Sequence, residues 1–223
     1  MVSRRARCML GIGVSAVMWA VVGMFPTPLA LDEPQAGDSP LEGRLAGALH
    51  DVHARLAAAA PGLVPEARRE IAEVIVLESD RAQIDPMLVL AVIEVESSFD
   101  AAARSGAGAI GLMQLLEPTL RSELARHGLE GDPEDPVANV RAGVRYLRRL
   151  MDAFPRHDQA LMAYNAGPGR ILGYIREGEI PARFHVYPRR VNAALRRMRN
   201  APPRAPTVSV LDPGATMSAR VQN

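Results

Sequence analysis

Between Leu41 and Ala60 the apolar residues Leu45, Leu49, Val52 and Leu56 fall three and four apart, a spacing that gathers them on one face of a short α-helix. That helix is expected to stop at Pro61-Gly62. From Pro65 to Ala82 a second helix is marked by Ile71, Val74, Ile75 and Glu78, with polar residues opposite. The next segment changes character. Asp85 followed by Pro86 joins a side chain that caps free N–H groups to the residue best tolerated in a first turn. Behind them Met87-Leu88-Val89-Leu90-Ala91-Val92-Ile93 is apolar on every side. A helix with no polar face has to be enclosed, so this one is expected at the centre of the domain. It closes on Glu94, Val95 and Glu96, which brings carboxylates to the edge of the core.

The stretch from Ala101 to Gly111 is small and glycine-rich and reads as a loop. A helix is expected within Gln114 to Gly128, starting near Pro118. Asp135-Pro136 repeats the cap-plus-proline signal and opens a helix to about Phe154, with Val140, Val144, Leu147 and Met151 inward. Gln159 to Asn165 forms a short helix ended by Gly167-Pro168-Gly169, and Arg170 to Glu177 and Pro188 to Arg199 read as two more. No strand with period-two alternation stands out, so the domain is expected to be nearly all helical.

The two ends differ from this core. Arg4, Arg5 and Arg7 precede an uninterrupted apolar stretch from Met9 to Phe25 and then Pro26-Thr27-Pro28-Leu29-Ala30, the layout of an export signal over residues 1–30. The apolar stretch also approaches the roughly 17 residues of a short spanning helix, so an uncleaved anchor is the alternative. Residues 31–64 read as a linker with the short helix, 65–200 as the folded domain, and 201–223, rich in proline and small polar residues, as a disordered tail.

Charge narrows the function. The net charge of +1 becomes −2 once the three N-terminal arginines are removed, which argues against a nucleic-acid partner held through phosphates. All 26 Lys-plus-Arg positions are arginine, so no lysine can act as nucleophile or Schiff base. The single cysteine, Cys8, lies in the export segment, so the mature chain is expected to carry neither disulfide nor reactive thiol. His50 and His53, three apart on the first helix, lack an acidic or cysteine partner and are expected at the surface. His127, His157 and His185 complete no ligand set either, and the Gly106, Gly108, Gly111 run follows a helix rather than a strand. Neither metal nor cofactor is expected.

Three blocks stand in fixed order: Glu96-Ser97-Ser98-Phe99, then Gly111-Leu112-Met113-Gln114, then Ala163-Tyr164-Asn165-Ala166-Gly167. Ser105-Gly106-Ala107-Gly108-Ala109-Ile110 leads into the second, and Asp135-Pro136, Asn139, Gly143 and Tyr146-Leu147 lie between the second and third. Together, over roughly residues 70 to 192, they resemble the lysozyme-like soluble lytic transglycosylases, enzymes that cut the glycan strands of peptidoglycan. The resemblance implies a mostly α, lysozyme-like single catalytic domain; with the export signal the expected location is the periplasm or cell envelope, and a monomer is expected. It would act on peptidoglycan strands, with cell-envelope or secretion machinery as further candidate partners. It departs from the family at Arg183-Phe184-His185-Val186, where an acidic-Thr pair is common, and at Leu116-Glu117-Pro118, where proline falls one place late.

An ordinary glutamate, with a pKa near 4.3, is ionised at neutral pH and cannot protonate a leaving oxygen. Burial at the end of an apolar helix disfavours the charged form and cures this. Position and resemblance select Glu96 as the acid. Glu94, two residues away, points to another side of the helix. Glu78, in a second Glu-Ser pair, reads as a solvated helix end, and Asp100 as a loop or cap residue. With no second assured carboxylate, the resemblance implies that the C6 hydroxyl of N-acetylmuramic acid attacks, giving a 1,6-anhydro ring. It also implies cleft positions for Ser97, Met113, Gln114, Tyr164, Asn165 and Tyr187, the tyrosine of the third block facing Glu96. A hydrolase on the same fold and a wall-binding protein without turnover are the two rivals.

Overall fold

The structure is a computed structural model that describes residues 40–200, so the export signal expected at 1–30, the linker expected before Pro40 and the tail expected at 201–223 lie outside the described residues. The apolar helix α3 (Pro86–Ser97) is the element around which the others gather, as its composition demands. Every residue from Leu88 to Ile93 is buried, and Asp85 caps the helix by accepting from the Met87 amide at 2.8 Å. Around it lie α1 (Pro40–Ala59), α2 (Pro65–Ala82) and α8 (Val186–Asn200), all in contact with it. Val52 and Leu56 of α1 are fully buried, so the core extends N-terminal of residue 65.

The second centre of packing is α5 (Pro136–Ala153), which touches α2, α4 (Glu117–Ala125) and α6 (His157–Ala166). Asp135 caps it through the amides of Val137 and Ala138. Val140, Val144 and Leu147 face inward as expected, Leu150 joins them, and Met151 is only half-buried. α7 (Pro168–Glu177) begins at Pro168, two residues earlier than its pattern suggests, because Gly167 at φ +90° lets α6 end and α7 start at one residue. A short 3₁₀ turn, Ala182–His185, leads into α8.

The described residues are mostly helical, as expected, with one small sheet in addition, and the expectation for Glu78 is corrected. A small antiparallel sheet is present: β1 (Ala109–Ile110) pairs with β2 (Leu115–Leu116), with Ala109 opposite Leu116. Two residues per strand are too few to show any alternation. Glu78 is not solvated; it is 1% exposed and held by Arg81, Arg141 and Arg145. His50 and His53 are exposed.

The turn between β1 and β2 is pressed against α5. Fully buried Asn139 accepts from the Met113 amide at 2.8 Å and donates to the Ile110 carbonyl at 2.9 Å, satisfying backbone groups that the tight turn leaves over. A Cβ on Gly111, itself at φ +77°, would lie 2.6 Å from the Asn139 side chain. One on Gly143 would lie 2.3 Å from Met113 Sδ and 2.8 Å from Met113 Cβ. Gly143→Ala is therefore expected to destabilise by about 1–3 kcal/mol despite alanine's better helix propensity. Gly173→Ala, on α7 with open space around it, serves as the neutral-to-stabilising control in urea unfolding.

Candidate active site

A cleft of about 620 Å³ opens between the end of α3, the small sheet, and the junction of α6 with α7. Its wall includes Glu96, Gln114, Thr119, Tyr146, Tyr164, Asn165 and Arg170, and Glu96 is the one carboxylate among its described lining residues. Glu96 sits on the last turn of α3 because the apolar run brings the chain out of the core at that point. Glu94 is turned away and pairs with Arg197.

The nearest polar partner of Glu96 is Tyr187, whose hydroxyl donates to Glu96 Oε1 at 2.6 Å. Tyr187 is buried at the start of α8, a helix that lies along α3. Arg190, one turn further on, has a guanidinium nitrogen 3.5 Å from the Val95 carbonyl. Burial pushes the Glu96 carboxyl above the ordinary glutamate range, the hydrogen bond from Tyr187 and the charge of Arg190 working the other way. Burial, and after it the nearby Glu96 charge, hold the hydroxyls of Tyr187 and Tyr164 well above the usual tyrosine range, so both remain donors.

The expected site residues divide by what their side chains touch. Gln114 and Asn165 line the cleft. Gln114 adopts φ +47°, and its Nε2 donates to the carbonyls of Gly111 at 2.9 Å and Ala103 at 3.0 Å, which stiffens the turn. Ser97 ties the helix end to that turn: its hydroxyl lies 2.9 Å from the Leu112 carbonyl and 3.1 Å from that of Ile93. Met113, expected to line the cleft, is instead fully buried, because its side chain fills the space left by Gly143. Tyr164 lines the cleft but does not orient Glu96; its hydroxyl donates to the Met113 carbonyl at 2.8 Å.

Tyr146 had no site role in the sequence reading. It lines the cleft and packs on Tyr164 with ring centres 5.3 Å apart. An aromatic residue one position before an inward leucine on an amphipathic helix carries no signal that separates cleft wall from core. Among the described residues no group of three His, Cys, Asp or Glu side chains is placed to hold a metal ion.

Fold and site together define a helical, lysozyme-like domain with one half-buried carboxyl at the wall of an open cleft. The Transglycosylase SLT domain family matches residues 73–184, half of the chain, and the protein belongs to it. Relatives include membrane-bound lytic murein transglycosylase C of Actinobacillus pleuropneumoniae, 37% identical over 41% of this chain and 29% of the relative. Its namesake in Glaesserella parasuis is also 37% identical, over 42% and 30%. The chain thus spans under a third of the length of the curated relatives it matches. Among solved structures, lytic transglycosylase Slt of Pseudomonas aeruginosa superposes with a TM-score of 0.53 at 24% identity, covering 68% of this chain and 30% of that one. The 70 kDa soluble lytic transglycosylase of Escherichia coli gives 0.51 at 20%, covering 70% and 29%. Those two likenesses establish the fold.

The raised carboxyl has a measurable cost in stability. Glu96 holds its proton more tightly folded than unfolded, so the native state binds more protons and stability declines as pH rises from the unfolded pKa toward the folded one. Glu96→Gln removes that decline while keeping an acceptor for Tyr187. Its melting temperature is expected to match the parent's near pH 4 and exceed it at pH 7. Tyr187→Phe removes the hydrogen bond that favours the carboxylate. Carbon-detected NMR titration should then place the Glu96 pKa higher than in the parent.

Proposed function

We propose that the protein is a peptidoglycan lytic transglycosylase that cleaves the β-1,4 bond between N-acetylmuramic acid and N-acetylglucosamine and leaves 1,6-anhydro-muramic ends. The observation that carries this reading is the single carboxyl among the described residues lining the cleft, whose proton affinity burial raises above that of an ordinary glutamate. Protonated Glu96 gives its proton to the glycosidic oxygen as the bond from C1 to that oxygen breaks, releasing the N-acetylglucosamine hydroxyl. The resulting carboxylate then takes the proton of the muramic C6 hydroxyl while that oxygen bonds to C1, closing the ring and restoring the acid. No water is consumed. An attacker on the same sugar ring gains from effective concentration and asks for no second carboxylate to activate it.

Tyr187 would steady the carboxyl and stabilise its charged intermediate form. Gln114 and Asn165 would meet the sugars, Gln114 from a turn that Ser97, Met113 and Tyr164 brace from behind. The names of the relatives, lytic murein transglycosylases, support the same chemistry, and "membrane-bound" in them supports an envelope location. Export to the periplasm is our reading of residues 1–30. Among the described residues no helix is long and apolar enough to cross a membrane.

Mass spectrometry of fragments released from purified peptidoglycan tests this. The expected products are one water lighter than hydrolysis products, and Glu96→Gln should lower their rate by about 10²-fold or more. Reducing ends would instead identify a hydrolase, and wall binding without fragments a recognition domain.

A further inference from the structure

On the far side of α5 from the turn, the ends of α2 and α4 enclose a second pocket of about 520 Å³. Arg81 of α2, Arg126 just past α4, and Arg145, Arg148 and Arg149 of α5 line it, against only Glu78, Glu123 and Asp152. The charges do not balance. Glu78, 1% exposed, is shared by Arg81, Arg145 and also Arg141, so one buried carboxylate faces three guanidinium groups. Glu123, equally buried, is shared by Arg149 and Arg126, and Asp152 takes Arg148.

Six cations over three anions leave a surplus of positive charge around a pair of buried carboxylates. A buried ion pair repays its desolvation only when the remaining donors are also satisfied. Here they are not. Arg145 is 13% exposed, and its Nη1 is buried with no hydrogen-bond partner among the described residues. That nitrogen is closed off from the pocket, but the more exposed guanidinium groups of Arg81, Arg126, Arg148 and Arg149 present donors at its wall, and forks of that kind suit an oxyanion. The arginines come from three chain segments around the pocket, and a tetrahedral phosphate, unlike a planar carboxylate, offers oxygens in three directions. The volume leaves room for an organic group attached to it.

We propose that this pocket is a binding site for a phosphate group, separate from the glycan cleft. It adjoins the cleft through a shared wall: the Arg149 guanidinium lies 5.1 Å from the centre of the Tyr146 ring, and Tyr146 lines the cleft on its other side. The phosphate belongs either to a soluble compound or to an anionic lipid headgroup.

Calorimetric titration of the full chain with inorganic phosphate, at constant ionic strength and against chloride, should show saturable binding at one site. Arg126→Gln with Arg148→Gln should weaken it at least about tenfold. These side chains are 57% and 36% exposed, and Arg126→Gln alone serves should the pair unfold the domain. Sedimentation with phosphatidylcholine vesicles, with and without phosphatidylglycerol, separates the sources. Phosphatidylglycerol-dependent binding that the variants weaken assigns a lipid headgroup, whereas phosphate binding with vesicle binding indifferent to the variants assigns a soluble ligand. Overturning results are phosphate binding unchanged in the variants, or no saturable phosphate binding together with variant-independent vesicle binding. Peptidoglycan cleavage measured on the same variants keeps this outcome distinct from failure of the transglycosylase reading.

Discussion

A helix without a polar face is possible only where other elements wrap it, and that enclosure is the constraint on which the rest of this structure rests. Leu88 to Ile93 are covered on all sides, so the chain can present a polar group only where α3 runs out of the core. Glu96 occupies that place. The same packing that stabilises the domain therefore partly desolvates the carboxyl and raises its proton affinity. Folding energy and acid strength are set by one packing arrangement, and each limits how far the other can change.

The turn opposite Glu96 is held by a different means. Gly111 and Gly143 let a loop and a helix approach until Asn139 can bond both Ile110 and Met113, and Tyr164 secures the Met113 carbonyl from the other side. Ser97 joins this turn to the helix that bears the acid. The three sequence blocks thus meet through hydrogen bonds to one stretch of backbone. Much of what looks like a substrate-binding motif is the scaffold that fixes the opposing wall.

The helices were legible in the sequence because their signals are local. Cap residues before prolines, an apolar run and a glycine stop lie within a few residues of the elements they mark, and α2 and α5 fall where the pattern puts them. What was missed depends on partners far along the chain. Glu78 looks solvated beside Asp80 and Arg81, yet Arg145, 67 residues later, covers it. Tyr187, expected in the cleft although its stretch departs from the family's pattern, bonds Glu96 itself, a contact that nothing near it in the chain signals. Tyr164, in the stronger motif, braces backbone instead. A motif identifies which residues matter, but not which of two tyrosines holds the acid and which the wall.

Glu96 and Tyr187 are separated by 91 residues, the first on the third helix and the second on the last helix of the described residues. The hydrogen bond between them is made only when the last helix docks along α3. A chain made from its N-terminus onward presents its acid well before the residue that steadies it. During translation the site is incomplete, and the pairing of the acid with its tyrosine arrives only with the last helix of the described residues.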